Sequence, residues 1–178
     1  ELEVDHALTL EVTTPHTDWA RPYAQGKTRV LFFTDAEDLR PRECVELMQR
    51  FDLEAEAVFW SKIVDSANSH WHGGEQGEAR MLRMLGRKWD CFLFLEMGMD
   101  KMSEEQQYRL LRQVADGAGL VFVGTDDRRV LKESNRLPEV PGFLQVENVQ
   151  AAYTVGKGRG VRLTQRPFLK YAFGWETE

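Results

Sequence analysis

The chain has 178 residues, 42% of them hydrophobic and 29% charged, which suits one globular domain with enough apolar material for a real core. Its formal net charge of −6 disfavours nucleic acid or an anionic membrane as the main partner. Cys44 and Cys91 are the only thiols, which excludes a disulfide framework and a zinc-ligand spacing.

Both cysteines sit among apolar residues and read as small buried hydrophobes. The charge is uneven: from Arg128 onward there are nine basic and five acidic residues, a mildly basic stretch that reads as solvated surface. No apolar run approaches the roughly 20 residues that cross a bilayer. The acidic start Glu1-Leu-Glu-Val-Asp5 has no signal-peptide pattern. Without an initiator Met or a clear end signal, the chain is expected to be a piece of a longer protein. It is read as soluble, either cytoplasmic or exported after loss of a signal segment, with the missing domains as partners.

Residues 1–27 are the least regular part. Leu8-Thr-Leu-Glu-Val-Thr13 alternates like an edge strand, and Pro15, Trp19, Pro22 and Tyr23 punctuate an arm packed against the body. A single domain spans 28–178. Arg29-Val-Leu-Phe-Phe-Thr34 is a continuous apolar run, as expected of a strand covered on both faces. Pro41 opens a helix with Cys44, Val45, Leu47, Met48 and Phe51 as its apolar stripe. The second strand is expected at 55–60, followed by a long polar loop over 61–77 and a short helix burying Met81, Leu82 and Leu85.

Cys91-Phe-Leu-Phe-Leu95 is uniformly apolar and reads as the central strand. Ser103-Glu-Glu-Gln106 is a capping box, in which the Ser hydroxyl meets the Gln106 amide and the Gln side chain reaches back. That helix carries Leu110, Leu111 and Val114 and stops at Gly117 to Gly119. A fourth strand covers 120–123. After a helical turn at 128–134 and a loop, strands are expected at 145–149, 151–155 and 160–163, with Lys157-Gly-Arg-Gly160 as the last hairpin turn. Strands alternating with helices imply parallel pairing through right-handed crossovers. The fold class is therefore α/β: a three-layer, flavodoxin-like domain with a mainly parallel sheet and a β-rich C-terminal extension.

Open parallel sheets bind ligands beyond the carboxyl ends of their strands, near the switch in strand order. Asp35, Glu96, Thr125 and Asp126 fall at such ends, with Glu37 and Asp127 close by. The loop bearing His70 and His72 can reach the same rim. Carboxylates there can bind a polyhydroxyl ligand or a cation, or serve as an acid/base pair. The bland alternative is that they cap helices and sit in water, as Asp126 or Asp127 would do for the next helix. His70-Trp71-His72 has no third ligand at a recognisable spacing, so a surface or packed loop is favoured over a metal site. Gly156-Lys-Gly-Arg-Gly160 lacks the strand–helix setting and the Lys-Ser/Thr of a phosphate loop, and reads as a basic β-turn. No cofactor or metal motif is present, and neither cysteine has a local His partner.

With the elbow Gly124-Thr-Asp126 placed, the chain resembles the class I glutamine-amidotransferase-like superfamily. The nearest branches are its non-amidotransferase ones: the ThuA-like group and the similar domain attached to bacterial glycoside hydrolases, where it can mediate trimerisation. Met102-Ser-Glu-Glu-Gln-Gln107, Gly117-Ala-Gly-Leu-Val-Phe-Val-Gly124 and Val155-Gly-Lys-Gly-Arg159 carry the resemblance across roughly residues 28–165. True amidotransferases place Cys at the elbow and a His-x-Glu pair downstream. Asp126 stands at the Cys position, and no His follows His72. The resemblance thus implies a non-catalytic accessory domain, with no glutaminase activity. The alternative is a ThuA-like hydrolase or sugar-modifying enzyme working through Asp35, Glu96 and Asp126. A phosphoreceiver is a rival fold reading, with Asp35 and Thr125 in place, but Glu96 replaces its phosphorylated Asp. Five tryptophans, among them Trp19 and Trp175 in irregular segments, lead to the expectation of a homo-oligomer or a docking surface.

Overall fold

The computed structural model describes residues 27–35, 44–45, 47–48, 51, 53–61, 70–125, 127, 129–138 and 149–163. Within them β1 (Thr28–Asp35), β2 (Leu53–Ser61), β3 (His70–Trp71), β4 (Cys91–Leu95), β5 (Gly119–Val123), β6 (Val149–Val155) and β7 (Gly158–Leu163) form one seven-stranded sheet in the order β3-β2-β1-β4-β5-β7-β6. β2, β1, β4, β5 and β7 are mutually parallel, while β3 and β6 lie antiparallel on the two edges. Counting only the parallel strands in chain order gives 2-1-3-4-5, the flavodoxin-like arrangement, with its switch point between β1 and β4. The expected arm over 1–27 falls outside the described residues except for Lys27, as do Trp19, Trp175 and Asp126.

Helices α1 (Gly74–Leu85) and α2 (Glu104–Ala115) cover one face. Successive strand residues point to opposite faces, so Leu31 and Phe33, Phe92 and Phe94, and Leu120 and Phe122 all meet these helices through Met81, Leu85, Leu110 and Val114. Three of the phenylalanines form a stack across the central strands, with centroids 4.5 Å apart for Phe33–Phe94 and 4.9 Å for Phe94–Phe122. Each such side chain, fully buried, contributes about 1.5–3 kcal/mol. On the other face Val30, Phe32 and Leu95 pack with Cys44 and Leu47 of the helical stretch expected after Pro41, whereas Val45 and Met48, expected in its apolar stripe, are exposed. Helices thus lie on both sides of the sheet, as a three-layer domain requires. α2 begins with the expected capping box: the Ser103 hydroxyl accepts the Gln106 N–H, and Gln106 Oε1 accepts the Ser103 N–H at 2.8 Å.

Several expectations are corrected. The polar loop over 61–77 is not continuous, because His70–Trp71 pairs with Ser61 and Trp60 as β3 and α1 already starts at Gly74. An apolar Trp71 flanked by polar residues suffices for a short edge strand, with Trp71 set edge-on against Trp60 at 5.1 Å. The helical turn expected at 128–134 is a turn at 129–130 followed by a 3-10 turn, Glu133–Asn135. At the C-terminal side Val149–Val155 is one strand rather than parts of two, and the hairpin turn is Gly156-Lys157 rather than Lys157 to Gly160. The turn is shorter because it docks on the end of α2. The Lys157 N–H donates to the Ala115 carbonyl at 2.9 Å, and a Cβ on Gly158 would lie 2.3 Å from the carbonyl oxygens of Val114 and Ala118. The glycines of this segment permit close packing, in keeping with a β-turn rather than a phosphate loop.

Candidate functional site

Register builds the rim from the switch point outward. β1 and β4 are paired through Thr34 and Leu95, so Asp35 and Glu96 each stand one residue beyond the last pair on adjacent strands. On the far side of β1, Asp35 is level with Trp60 of β2, which places Ser61 and the β3 residues next along the rim. Beyond β4, β5 ends at Val123 and leads into Gly124 and Thr125. The order along the rim is therefore His70 and His72, Ser61, Asp35, Glu96, Thr125. All the candidates whose backbone is described share one edge, although they are spread over four strands.

Glu96 is the only described non-glycine residue with positive φ, at 52°. Holding an L side chain in the left-handed region costs roughly 1–2 kcal/mol. Its N–H donates to the Val123 carbonyl at 2.9 Å, which fixes the chain's exit from β4 against the end of β5. Its side chain is half-buried, with Oε1 shielded from solvent.

Gly124 also has positive φ, at 71°, and donates to the Leu163 carbonyl at 3.2 Å, so the turn after β5 is a sharp elbow tied to the end of β7. Behind it lies Asp127, 4% exposed. Asp127 Oδ2 accepts the Met99 N–H at 3.2 Å and Arg129 Nη2 at 2.9 Å, while Oδ1 accepts the Arg129 N–H at 3.2 Å and Nε at 3.1 Å. These bonds to Asp127 hold the Arg129 guanidinium above its usual range. Instead of starting a helix, Asp127 closes a turn and fastens the loop after β5 to the loop after β4. The Asp-x-Arg spacing of residues 127–129, just past a strand, is the sequence signal for such a turn.

His70 and His72 are exposed on either side of the buried Trp71. His72 Nδ1 and Ser61 Oγ are 3.3 Å apart, and the His72 N–H donates to the Phe59 carbonyl at 2.8 Å. The histidines therefore pin the edge strand to β2. Among the described residues no group of three His, Cys, Asp or Glu side chains is placed to hold a metal ion. The remaining outer edge of β2 is closed by Arg80, which donates to the Ala57 carbonyl at 2.7 Å and pairs with Glu56 at 2.9 Å.

The opposite end of the sheet holds features that sequence reading missed. Arg29 and Asp90 form a two-pronged ion pair, joined by a bond from the Arg29 N–H to Asp90 Oδ2 at 2.9 Å. Hydrogen bonding from Arg29 holds the Asp90 carboxyl below the usual carboxylate range. The adjacent Cys91 thiol is pushed up to about 12 by burial and by Asp90, so it stays protonated and unreactive. Next to this pair an open groove of about 860 Å³ runs between the Gly86–Asp90 loop and α2. The one cue to it in the sequence was the spacing Glu105, Tyr108, Arg109, Arg112, which forms a single helical stripe.

No protein-family model, curated protein or solved structure matches the chain. No helix among the described residues is long and apolar enough to cross a membrane.

Proposed function

We propose that the chain is a non-catalytic interaction domain, an accessory part of a larger bacterial and carbohydrate-active protein. The observation that carries this reading is the use made of Asp127. Where an amidotransferase-like frame needs a Cys nucleophile at the elbow after β5, the sequence offers Gly124, Thr125 and Asp126, with no thiol. The buried carboxylate behind them is committed to Met99 and Arg129, as a brace between two loops. A brace of this kind ties the loops after β4 and β5 together and commits both oxygens of Asp127 to structural bonds. The other domains of the full-length protein, or further copies of this chain, are the partners that such a module would hold.

A second reading, a ThuA-like hydrolase or sugar-modifying enzyme, is favoured by one observation. Glu96 is held in the left-handed region at the switch point, one strand from Asp35, and strained residues concentrate at functional sites. The two readings separate on activity. The purified chain is expected to release no 4-nitrophenol from a panel of 4-nitrophenyl glycosides and esters. Turnover by the wild type that disappears in Glu96→Gln would overturn the accessory reading in favour of the enzyme.

A further inference from the structure

The groove at the N-terminal ends of β4 and β5 has a rigid floor. Trp89 is 2% exposed and donates its indole N–H to the Met84 carbonyl at 2.7 Å. Gln113 accepts the Trp89 N–H at 2.9 Å and donates at 3.0 Å to the carbonyls of both Leu85 and Arg87. One wall is the Gly86–Asp90 loop, and the other is the α2 stripe bearing Tyr108, which is 65% exposed. A preformed groove edged by an accessible tyrosine and by arginines has the anchor chemistry of protein interfaces.

The charges narrow the choice of occupant. Arg87 lies 4.9 Å from the Trp89 ring and is paired with Glu54 and Glu56; Arg109 is paired with Glu105; Asp90 is neutralised by Arg29 from outside the groove. Among the described residues of the groove, Lys88 on the loop wall, whose charge also acts on Asp90, and Arg112 on the helix wall form no salt bridge, against a single such carboxylate, Asp116. The groove therefore offers two cations on opposite walls, beside an aromatic ring, in a chain of net charge −6.

We propose that this groove docks an acidic peptide segment of a partner protein, its carboxylates meeting Lys88 and Arg112 and an apolar side chain resting against Tyr108. The proposal rests on the interaction-domain reading and names the partner's chemistry. Rim charges of this kind act on encounter and register, while the tyrosine supplies contact area.

The test is fluorescence anisotropy of the labelled peptide acetyl-EELEELEEL-amide and of its inverse acetyl-KKLKKLKKL-amide, titrated with the whole chain. The acidic peptide is expected to bind and the basic one not. The double variant Lys88→Glu with Arg112→Glu should weaken binding by about tenfold or more, and Tyr108→Ala by about fivefold, with circular dichroism unchanged in both. No binding of the acidic peptide, equal binding of both peptides, or binding indifferent to the double variant would each overturn the proposal. So would concentration-dependent self-association in sedimentation that Tyr108→Ala abolishes, since the occupant would then be a second copy. Failure of the accessory reading itself is seen separately, as glycoside or ester turnover lost in Glu96→Gln with peptide binding untouched.

Discussion

Asp127 Oδ2 accepts the backbone N–H of Met99 at 3.2 Å, bridging the loops that follow the two central strands β4 and β5. Asp127→Ala removes the acceptor and leaves a buried N–H unsatisfied, a loss worth about 1–3 kcal/mol. At roughly 2–4 °C per kcal/mol for a chain of this length, the melting temperature should fall by several degrees. Asp127→Asn, which keeps one acceptor oxygen but loses the charge facing Arg129, should fall less. Equal melting temperatures for the wild type and Asp127→Ala would show that the bridge is not a brace.

The β6–β7 hairpin docks on α2 through glycine. A Cβ on Gly158 would meet two carbonyl oxygens at 2.3 Å, and backbone atoms cannot swing aside as a side-chain tip can. Gly158→Ala is expected to destabilise the fold by about 1–3 kcal/mol through overpacking. Gly117→Ala differs: no atom lies within 4 Å of its added Cβ, but φ is 129°, so its cost is backbone strain alone. Urea unfolding of the two variants should place Gly158→Ala at the lower midpoint. The reverse order would mean that the hairpin moves off the helix without penalty.

Asp90 gives a pH dependence of defined sign. Its folded pKa lies below the unfolded value of about 3.9, so its pairing with Arg29 favours the folded state above that value and is lost as pH falls through the lower, folded one. The stability difference between wild type and Asp90→Asn should therefore be constant at neutral pH and shrink below about pH 4. Both partners are partly exposed, which keeps the effect small and sensitive to salt. Chemical denaturation from neutral to acid pH at two salt concentrations measures it. A difference that grows on acidification would contradict the assignment.

How much of this was legible in the sequence depended on whether the signal was local. The runs over residues 29–34, 91–95 and 120–123 announce buried parallel strands because both of their faces need covering, and Ser103 with Gln106 announces α2 because a capping box is a contact four residues wide. β3 was missed because two residues carry no periodicity; it exists only through its pairing with Trp60 and Ser61. That Asp35 and Glu96 stand side by side follows from strand order, which no local pattern encodes. The separation of the groove from that rim, at the other end of the sheet, is equally non-local. The pair Arg29–Asp90 spans 61 positions and has no sequence signature.

At Glu96 the backbone cost and the side chain's contribution can be separated by substitution. At φ 52° a glycine is unstrained, whereas an L residue gives up roughly 1–2 kcal/mol. Glycine loses about 0.5–1 kcal/mol of that gain to its greater freedom in the unfolded chain. Glu96→Gly is therefore expected to be at least as stable as the wild type, and Glu96→Asn, which tolerates this conformation with less freedom to lose, at least as stable as Glu96→Gly. Differential scanning calorimetry of the three proteins decides the order. If both variants melt lower, the contacts of the Glu96 side chain outweigh its backbone strain, and the residue is a structural element of the β4 exit. If both melt at or above the wild type, a glutamate at this position lowers stability, and its presence at the switch point points to a ligand that meets the rim there.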